Sequence, residues 1–392
     1  MKPAGLLRIC CFLTVGAAGT MVPAGAQSGG ALSLDASGSV STVVELAYPR
    51  SADGSFGDPA VGAAFESELF LSGTGPLALF RIRALASASA DDPSGYEPAN
   101  LANAVRLELR EAEITLLPLP GLSVRAGMLL RSLGFGSYGS PADPLARLPD
   151  QGGFWGASVE WAPVQGFSAV ALASADRAAR DASFAGVDDL DAGAVVRFSA
   201  GALDAGLGTY YSGYGSGEAR PVAYVSCPAF GFLGSLEAAL SIPLGGADAE
   251  PSGSLRMELR RGLAVGDLSF ELAAAYRGVF PGRSQAELDS MIAALGGGLP
   301  GDPFAPYYGR HYAEFSAYVE SADLFLFSAN LALSLLDGSM MLETKAELYS
   351  GDAGLFVRAA LVPGKEDGEF RAIARAAGSS ELVIGAGLSF SF

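Results

Sequence analysis

The chain of 392 residues is short of most of what a soluble enzyme uses. It has one histidine, His311, and 3 cysteines, and only 17% of its residues are charged. Soluble surfaces run at about 25–35% charged residues, so there is too little charge here to cover a water-facing surface. Lysine is nearly absent: beyond residue 26 only Lys345 and Lys365 occur. Long apolar runs are missing too. Half the residues are hydrophobic, yet no stretch after residue 30 approaches the roughly 18 consecutive apolar residues of a membrane helix. Each shortage excludes something. With one histidine, no G-x-S-x-G elbow and no metal-spaced Cys/His cluster, no nucleophile or metal centre can be assembled in a familiar way. Phosphate loops and dinucleotide fingerprints are also missing, so no catalytic residue, metal or cofactor is expected. A formal net charge of −17 lacks the basic footprint of a nucleic-acid binder.

The first 26 residues, MKPAGLLRICCFLTVGAAGTMVPAGA, have a basic start (Lys2, Arg8), an apolar middle and a small-residue end at Ala24-Gly25-Ala26. This pattern predicts a cleaved secretory signal peptide. Cleavage would take Cys10 and Cys11 and leave Cys227 alone, excluding an internal disulfide. Two basic residues would leave with it, so 23 would face 42 acidic ones and the net charge would become −19. Residues 27–392 then read as a single domain, with no linker or break in composition.

Alternation fills that domain. In LSLDASGSVSTVVELAY (32–48), Leu32, Leu34, Val40, Val44, Leu46 and Tyr48 share one face, and Ser33, Asp35, Ser37, Ser39, Ser41 and Glu45 take the other. Seventeen residues of period two make a strand, because a helix repeats near 3.6. Similar segments begin near residues 65, 77, 105, 122, 153, 167, 190, 203, 220, 230, 255, 268, 312, 324, 340, 355, 370 and 382. That makes 19 segments. Their connections tend to alternate, short (GTGP, PLPG) and then long and rich in Gly, Pro and Asp (49–60, 91–100, 134–152, 176–188, 279–307). The pattern predicts an all-β transmembrane antiparallel barrel, apolar toward lipid and polar toward the lumen. Bacterial single-chain barrels have even strand numbers, so one segment beyond residue 279 is miscounted. The expectation is 18 strands, with 16 as the alternative.

If the apolar face meets lipid, the opposite register faces the lumen. On the basic side this places Arg81, Arg83, Arg106, Arg110, Arg125, Arg131, Arg197, Arg256, Arg260, Arg277, Lys345, Arg358, Arg371 and Arg375. On the acidic side it places Glu66, Glu68, Glu108, Glu160, Asp191, Asp204, Glu237, Glu258, Glu271, Glu314, Glu343 and Glu347. The two signs nearly balance. The residues singled out as pore-lining are Glu66, Glu68, Arg81, Arg83, Arg106, Glu108, Arg110, Arg125, Arg131, Arg256, Glu258 and Arg260. Such rows either set a transverse field for polar solutes or hold strand register as cross-strand ion pairs. In the long connection 279–307, Ser284 and Glu287 have capping-box spacing, which predicts a helix of about ten residues.

The final strand, ELVIGAGLSFSF (381–392), ends on Phe392, and this end is similar to the C-terminal signature of bacterial outer-membrane barrels. The resemblance implies that the barrel-assembly machinery reads Phe392. RAGMLLRSLGFGSYGSPADPL (125–145) resembles a strand and loop of porin-like barrels, R-x-G, a Gly-rich turn and P-x-D. It departs from them where Leu133-Gly134 or Phe135-Gly136 stands in place of Trp-Gly. The Gly-rich, Lys-poor style resembles spirochaetal outer-membrane proteins. Together these imply an outer-membrane location, lipid as solvent, a possible homo-oligomer, and passive diffusion of small polar or ionic solutes. Two other readings stand beside it: a surface barrel with a plugged lumen that binds partners, and an apolar-solute transporter, for which the segment before residue 31 leaves no room for an N-terminal hatch. Loops 134–152 and 279–307 are the candidate constrictions or plugs.

Overall fold

The computed structural model describes residues 33–48, 56–75, 77–90, 105–129, 140–141, 154–175, 190–213, 217–245, 250–294, 307–321, 324–364, 368–376 and 381–392. The expected signal peptide and most of loop 134–152 lie outside the described residues. The strands are β1 (Ser33–Tyr48), β2 (Ala60–Thr74), β3 (Ala78–Ala90), β4 (Val105–Leu119), β5 (Leu122–Leu129), β6 (Phe154–Val164), β7 (Phe167–Ser174), β8 (Asp191–Ala200), β9 (Leu203–Ser212), β10 (Glu218–Ala229), β11 (Phe232–Pro243), β12 (Ser252–Val265), β13 (Leu268–Phe280), β14 (His311–Ser321), β15 (Phe325–Ser334), β16 (Met340–Ser350), β17 (Ala353–Leu361) and β18 (Leu382–Ser391). Among the described residues, two helices interrupt the order: α1 (Gln285–Ala294) between β13 and β14, and α2 (Glu369–Ala376) between β17 and β18. Among the described residues, no helix is long and apolar enough to cross a membrane.

Each strand pairs antiparallel with its sequence neighbours, and β1 pairs with both β2 and β18, so one 18-stranded sheet closes on itself. Closure leaves no unpaired edge. The surplus nineteenth segment is α2. Phe370, Ile373 and Ala374 stand at i, i+3 and i+4, the spacing of a helix face, although Phe370, Ala372 and Ala374 also fall two apart. Arg371 and Arg375 therefore sit on a helix and not on a lumen-facing strand. The turns ESAD and LDGS lie at opposite ends of the barrel, β14–β15 and β15–β16, so alternation of the two ends survives; LDGS is simply a short member of the other set.

Register assigns the faces. Leu107 (83% exposed) and Leu207 (68%) stand on the outer face. Trp155, Val159 and Trp161 sit there together, opposite Met128, Val124 and Leu122. Charged residues take the opposite face, except Arg261, which stands outside over the Phe232 ring. One irregularity changes the reading of β4: Arg83 pairs with Glu111 and Ala84 with Leu109, so Arg110 is the extra residue of a β-bulge. A bulge inserts one residue and shifts the alternation. Before it, Glu108 points inward; after it, Glu111, Glu113 and Thr115 do.

The seam is closed at its tight-turn end by Phe392. Its N–H donates to Gly38 O at 3.0 Å and its carbonyl accepts from Gly38 N–H at 2.9 Å. A Cβ on Gly38 would lie 2.5 Å from the Phe392 ring, so only glycine leaves that ring its place. At the opposite end of the pattern that resembles porin loops, Gly127 has φ +126°, and a Cβ there would meet Ala112 O at 2.0 Å. The glycine lets β5 approach the bulged β4.

Candidate pore lining

Two arcs of inner-face charge stand on opposite walls. The first spans β2 to β6. Arg83 donates through Nε to Glu68 Oε1 at 2.5 Å and through Nη2 to Oε2 at 2.9 Å, a bidentate fork of the kind a planar guanidinium favours. Arg81 lies 4.0 Å from Glu113, Arg110 3.8 Å from Glu108, and Arg125 3.4 Å from Glu160. Glu66 also faces inward, between Ser41 and Ser87, and is exposed there. The backbone of Arg106 is in the inward register opposite Ser87; its side chain, and all of Arg131, lie outside the described residues.

The second arc spans β11 to β14, nine strands away from the first across the ring. Its centre is Arg256, buried. Arg256 Nε donates to Glu314 at 2.8 Å and Nη2 to Glu258 at 2.5 Å, with Glu237 at 3.9 Å from Nη1. Arg277 donates to the second Glu314 oxygen at 2.7 Å. Arg260 reaches Glu258 at 3.0 Å and Glu271 at 3.2 Å. The Arg277 guanidinium lies 4.4 Å from the Tyr307 ring centroid. Charges taken out of water cost several kcal/mol each unless paired and hydrogen-bonded, and here each arginine is offset on two or more sides.

Above the charged arcs, toward the long connections, the inner face turns apolar. Leu129, Phe154, Val195, Tyr210, Tyr312 and Phe370 belong to one buried cluster that follows the wall from β5 to β15. Helix α2 packs into this belt from the inside. Its Phe370 ring lies 6.0 Å from Tyr312 and 6.4 Å from Tyr307. Glu369, fully buried, anchors it: one oxygen accepts from Tyr312 Oη at 2.5 Å, Tyr308 N–H at 2.8 Å and Gly309 N–H at 3.1 Å. Burial pushes the Glu369 carboxyl up, against the pull of these donors. The first turn of α2 is capped by Asp337, whose Oδ2 accepts Glu369 N–H at 2.6 Å. Burial alone would raise the Asp337 carboxyl, but donors from Glu369 and Ser339 outweigh it and hold it below its ordinary range. Arg371 pairs with Glu381 at 2.8 Å. The other helix is capped as expected: Ser284 N–H and hydroxyl both donate to Glu287, at 2.6 and 2.7 Å.

The interior is narrowed but keeps space beside α2. One cavity of about 380 Å³ lies along the Arg256 arc, lined by Arg260, Tyr307, Glu314 and Asn330. A second, of about 550 Å³, lies between α2 and the β16–β17 wall, lined by Glu45, Lys345, Arg358, Phe370 and Ile373. Asn330, Met341 and Glu343 line both. Within loop 134–152 the described residues 140 and 141 are buried, and the Ser140 hydroxyl donates to Glu237 on the inner face of β11. That part of the loop therefore reaches inside the ring.

A closed ring of 18 antiparallel strands, apolar outside and charged inside, is the fold of the outer-membrane porins. Solved structures bear out the fold. The chain is similar to Acinetobacter baumannii OccAB1, with a TM-score of 0.54 and 12% identity over 91% of this chain and 96% of that one. Pseudomonas aeruginosa OccK5 (OpdH) gives a TM-score of 0.54 and 12% identity over 91% and 98%. Pseudomonas aeruginosa OpdL gives 0.54 and 13% over 92% and 98%. No family model and no curated sequence matches the chain. At such identity the porin likeness rests on the backbone.

The expected charge balance is not what the ring shows. All twelve expected carboxylates face inward, and Asp35, Glu45, Glu111, Glu113, Glu218 and Glu320 join them, giving eighteen. Basic groups gain Arg220 and lose Arg371 and Arg375 to α2, leaving eleven among the described side chains. Glu111 and Glu113 escaped because the bulge at Arg110 reverses the alternation; the two adjacent charges Arg110-Glu111 are the signal that could have marked it. Glu369 escaped because its segment was read as a strand. His311 lies on the outer face, its Nδ1 2.7 Å from Tyr276 Oη.

Proposed function

We propose that the chain is a porin-like channel of the bacterial outer membrane, passing small polar or ionic solutes by diffusion. The observation that carries this reading is the closed 18-stranded ring with an apolar outer face and a charged, cavity-bearing interior. Glu68, Arg81, Arg83, Glu108, Arg110, Arg125, Arg256, Glu258 and Arg260, with the exposed Glu66, line the route; most are locked in cross-strand pairs that hold register. Lipid is the solvent of the outer face, and Phe392, backed by Gly38, is the handle for the assembly machinery. The placement of His311 on the outer face supports a channel without catalytic activity. Stepwise single-channel conductance of refolded protein in a planar bilayer is the expected result; a properly folded barrel that carries no current refutes it. The inward-packed α2 and Ser140 favour one second reading, a plugged barrel that binds partners through its long connections, and the same absence of current would favour that one.

A further inference from the structure

We infer that the channel prefers cations, an inference that rests on the channel reading above. It follows from an asymmetry in pairing, beyond the surplus of acids. Among the described residues, ten of the eleven basic side chains on the inner face lie within 4.0 Å of a carboxylate oxygen, and the eleventh, Arg197, makes an interaction of its own. Their fields are offset by partners in the wall, fully where the pair is buried as at Arg256 and in part at the half-exposed Arg81, Lys345 and Arg358. The carboxylates are not all used up in return. Glu66 and Glu343 face inward and are exposed, and neither makes a hydrogen bond or ion pair among the described residues. Among the described residues, a passing solute therefore meets unpaired negative charge and paired positive charge.

Position strengthens the point. Glu343, on β16, lies where the 380 Å³ and 550 Å³ cavities adjoin, opposite Asn330 of β15 and beside Met341. A solute moving past α2 along the Arg256 arc would pass its carboxylate. Glu66 stands on β2, four strands round the ring from β16. Rings and rows of carboxylates with low-dielectric walls concentrate counter-ions and select for cations in pores. The solute class is small cations, inorganic ions and compact amines, that cross while hydrated or with one contact to a carboxylate.

The test is the reversal potential of the full-length refolded protein in a KCl gradient. The expected result is a potential of the sign that K+ permeation gives, with a cation-to-anion permeability ratio above one. The ratio should be larger at ~0.1 M salt, where screening extends about 10 Å, than at ~1 M, where it extends about 3 Å. Glu343→Gln should lower the ratio about twofold or more at low salt. Glu66→Gln, on β2, is the second variant should the first fold poorly. A chloride-preferring wild type overturns the inference while leaving the channel reading intact. So does a ratio unchanged in both variants. A folded barrel without current overturns both readings together.

Discussion

Removing the anchor of α2 should widen the route. In Glu369→Ala, the one oxygen that accepts from Tyr312 Oη, Tyr308 N–H and Gly309 N–H is lost. Each buried donor left unsatisfied costs about 1–3 kcal/mol. Relief from burying a carboxylate, whose titration burial already pushes upward, offsets part of this. A net loosening of about 3 kcal/mol is therefore expected, and at 1.4 kcal/mol per tenfold it multiplies the detached population of α2 by roughly two orders of magnitude. The Phe370 contacts to Tyr307 and Tyr312 remain, so the helix should detach intermittently and the barrel should stay closed. Single-channel recording reads this directly: higher mean conductance, larger open-channel noise and occasional long-lived high-conductance steps. Glu369→Gln retains an acceptor oxygen for Tyr312 and should fall between wild type and Glu369→Ala. Limited proteolysis near residues 369–376 supplies a second readout. If Glu369→Ala folds and matches wild type in conductance, noise and cleavage, then α2 does not narrow the route and the anchoring argument is wrong.

The other predictions concern the wall and the ends. Arg256→Met strips a buried guanidinium from Glu237, Glu258 and Glu314. It should destabilise the barrel by about 3–5 kcal/mol, seen as a lower unfolding temperature by circular dichroism in detergent. At α1, the Glu287 carboxyl is held down by the Ser284 N–H and hydroxyl. A depressed folded-state value means the cap contributes above the ordinary glutamate value, about 4.3, and is lost as pH falls through the lowered one. Amide exchange over 285–294 should accelerate at acid pH in wild type and be pH-independent in this range in Glu287→Gln, apart from intrinsic chemistry. Phe230 occupies the β10–β11 turn with φ 54° and is wholly exposed. Because a left-handed conformation costs an ordinary residue about 1–2 kcal/mol and Asn-Gly suits such a hairpin, Phe230→Asn should raise the unfolding temperature; no change would show that the turn is not strained.

Much of the architecture is written in period two, and period two is robust. Lipid on one side and water on the other force alternate residues apart in chemistry, so Leu107 and Glu108, or Ile82 and Arg83, declare their faces without help from the fold. What alternation cannot show is where it is interrupted. The bulge at Arg110 shows only as two adjacent charges, Arg110 and Glu111, and it is the pairing of the strands that reveals both as inward. The segment EFRAIARA fits a strand by its small and basic residues and a helix by Phe370 and Ile373. Only its neighbours decide, because Tyr312, Asp337 and the Tyr308–Gly309 backbone hold it as a helix inside the ring.

The character of the interior was less legible than its location, for a physical reason. Facing inward is a local property, set by one residue's place in its own strand. Being free to act on a solute is a property of pairs, set by the register between strands. Arg256 and Glu343 look alike in a list of inner-face charges. Arg256 is enclosed by Glu258, two residues on, and by Glu237 of β11 and Glu314 of β14, which no spacing along the chain could reveal. Glu343 faces Asn330 on one side and Ala360 on the other, two neighbours that cannot neutralise it. The balance of signs in a row of sequence therefore says little about selectivity. What matters is which charges remain after the wall has taken its pairs, and in this ring the remainder is acidic.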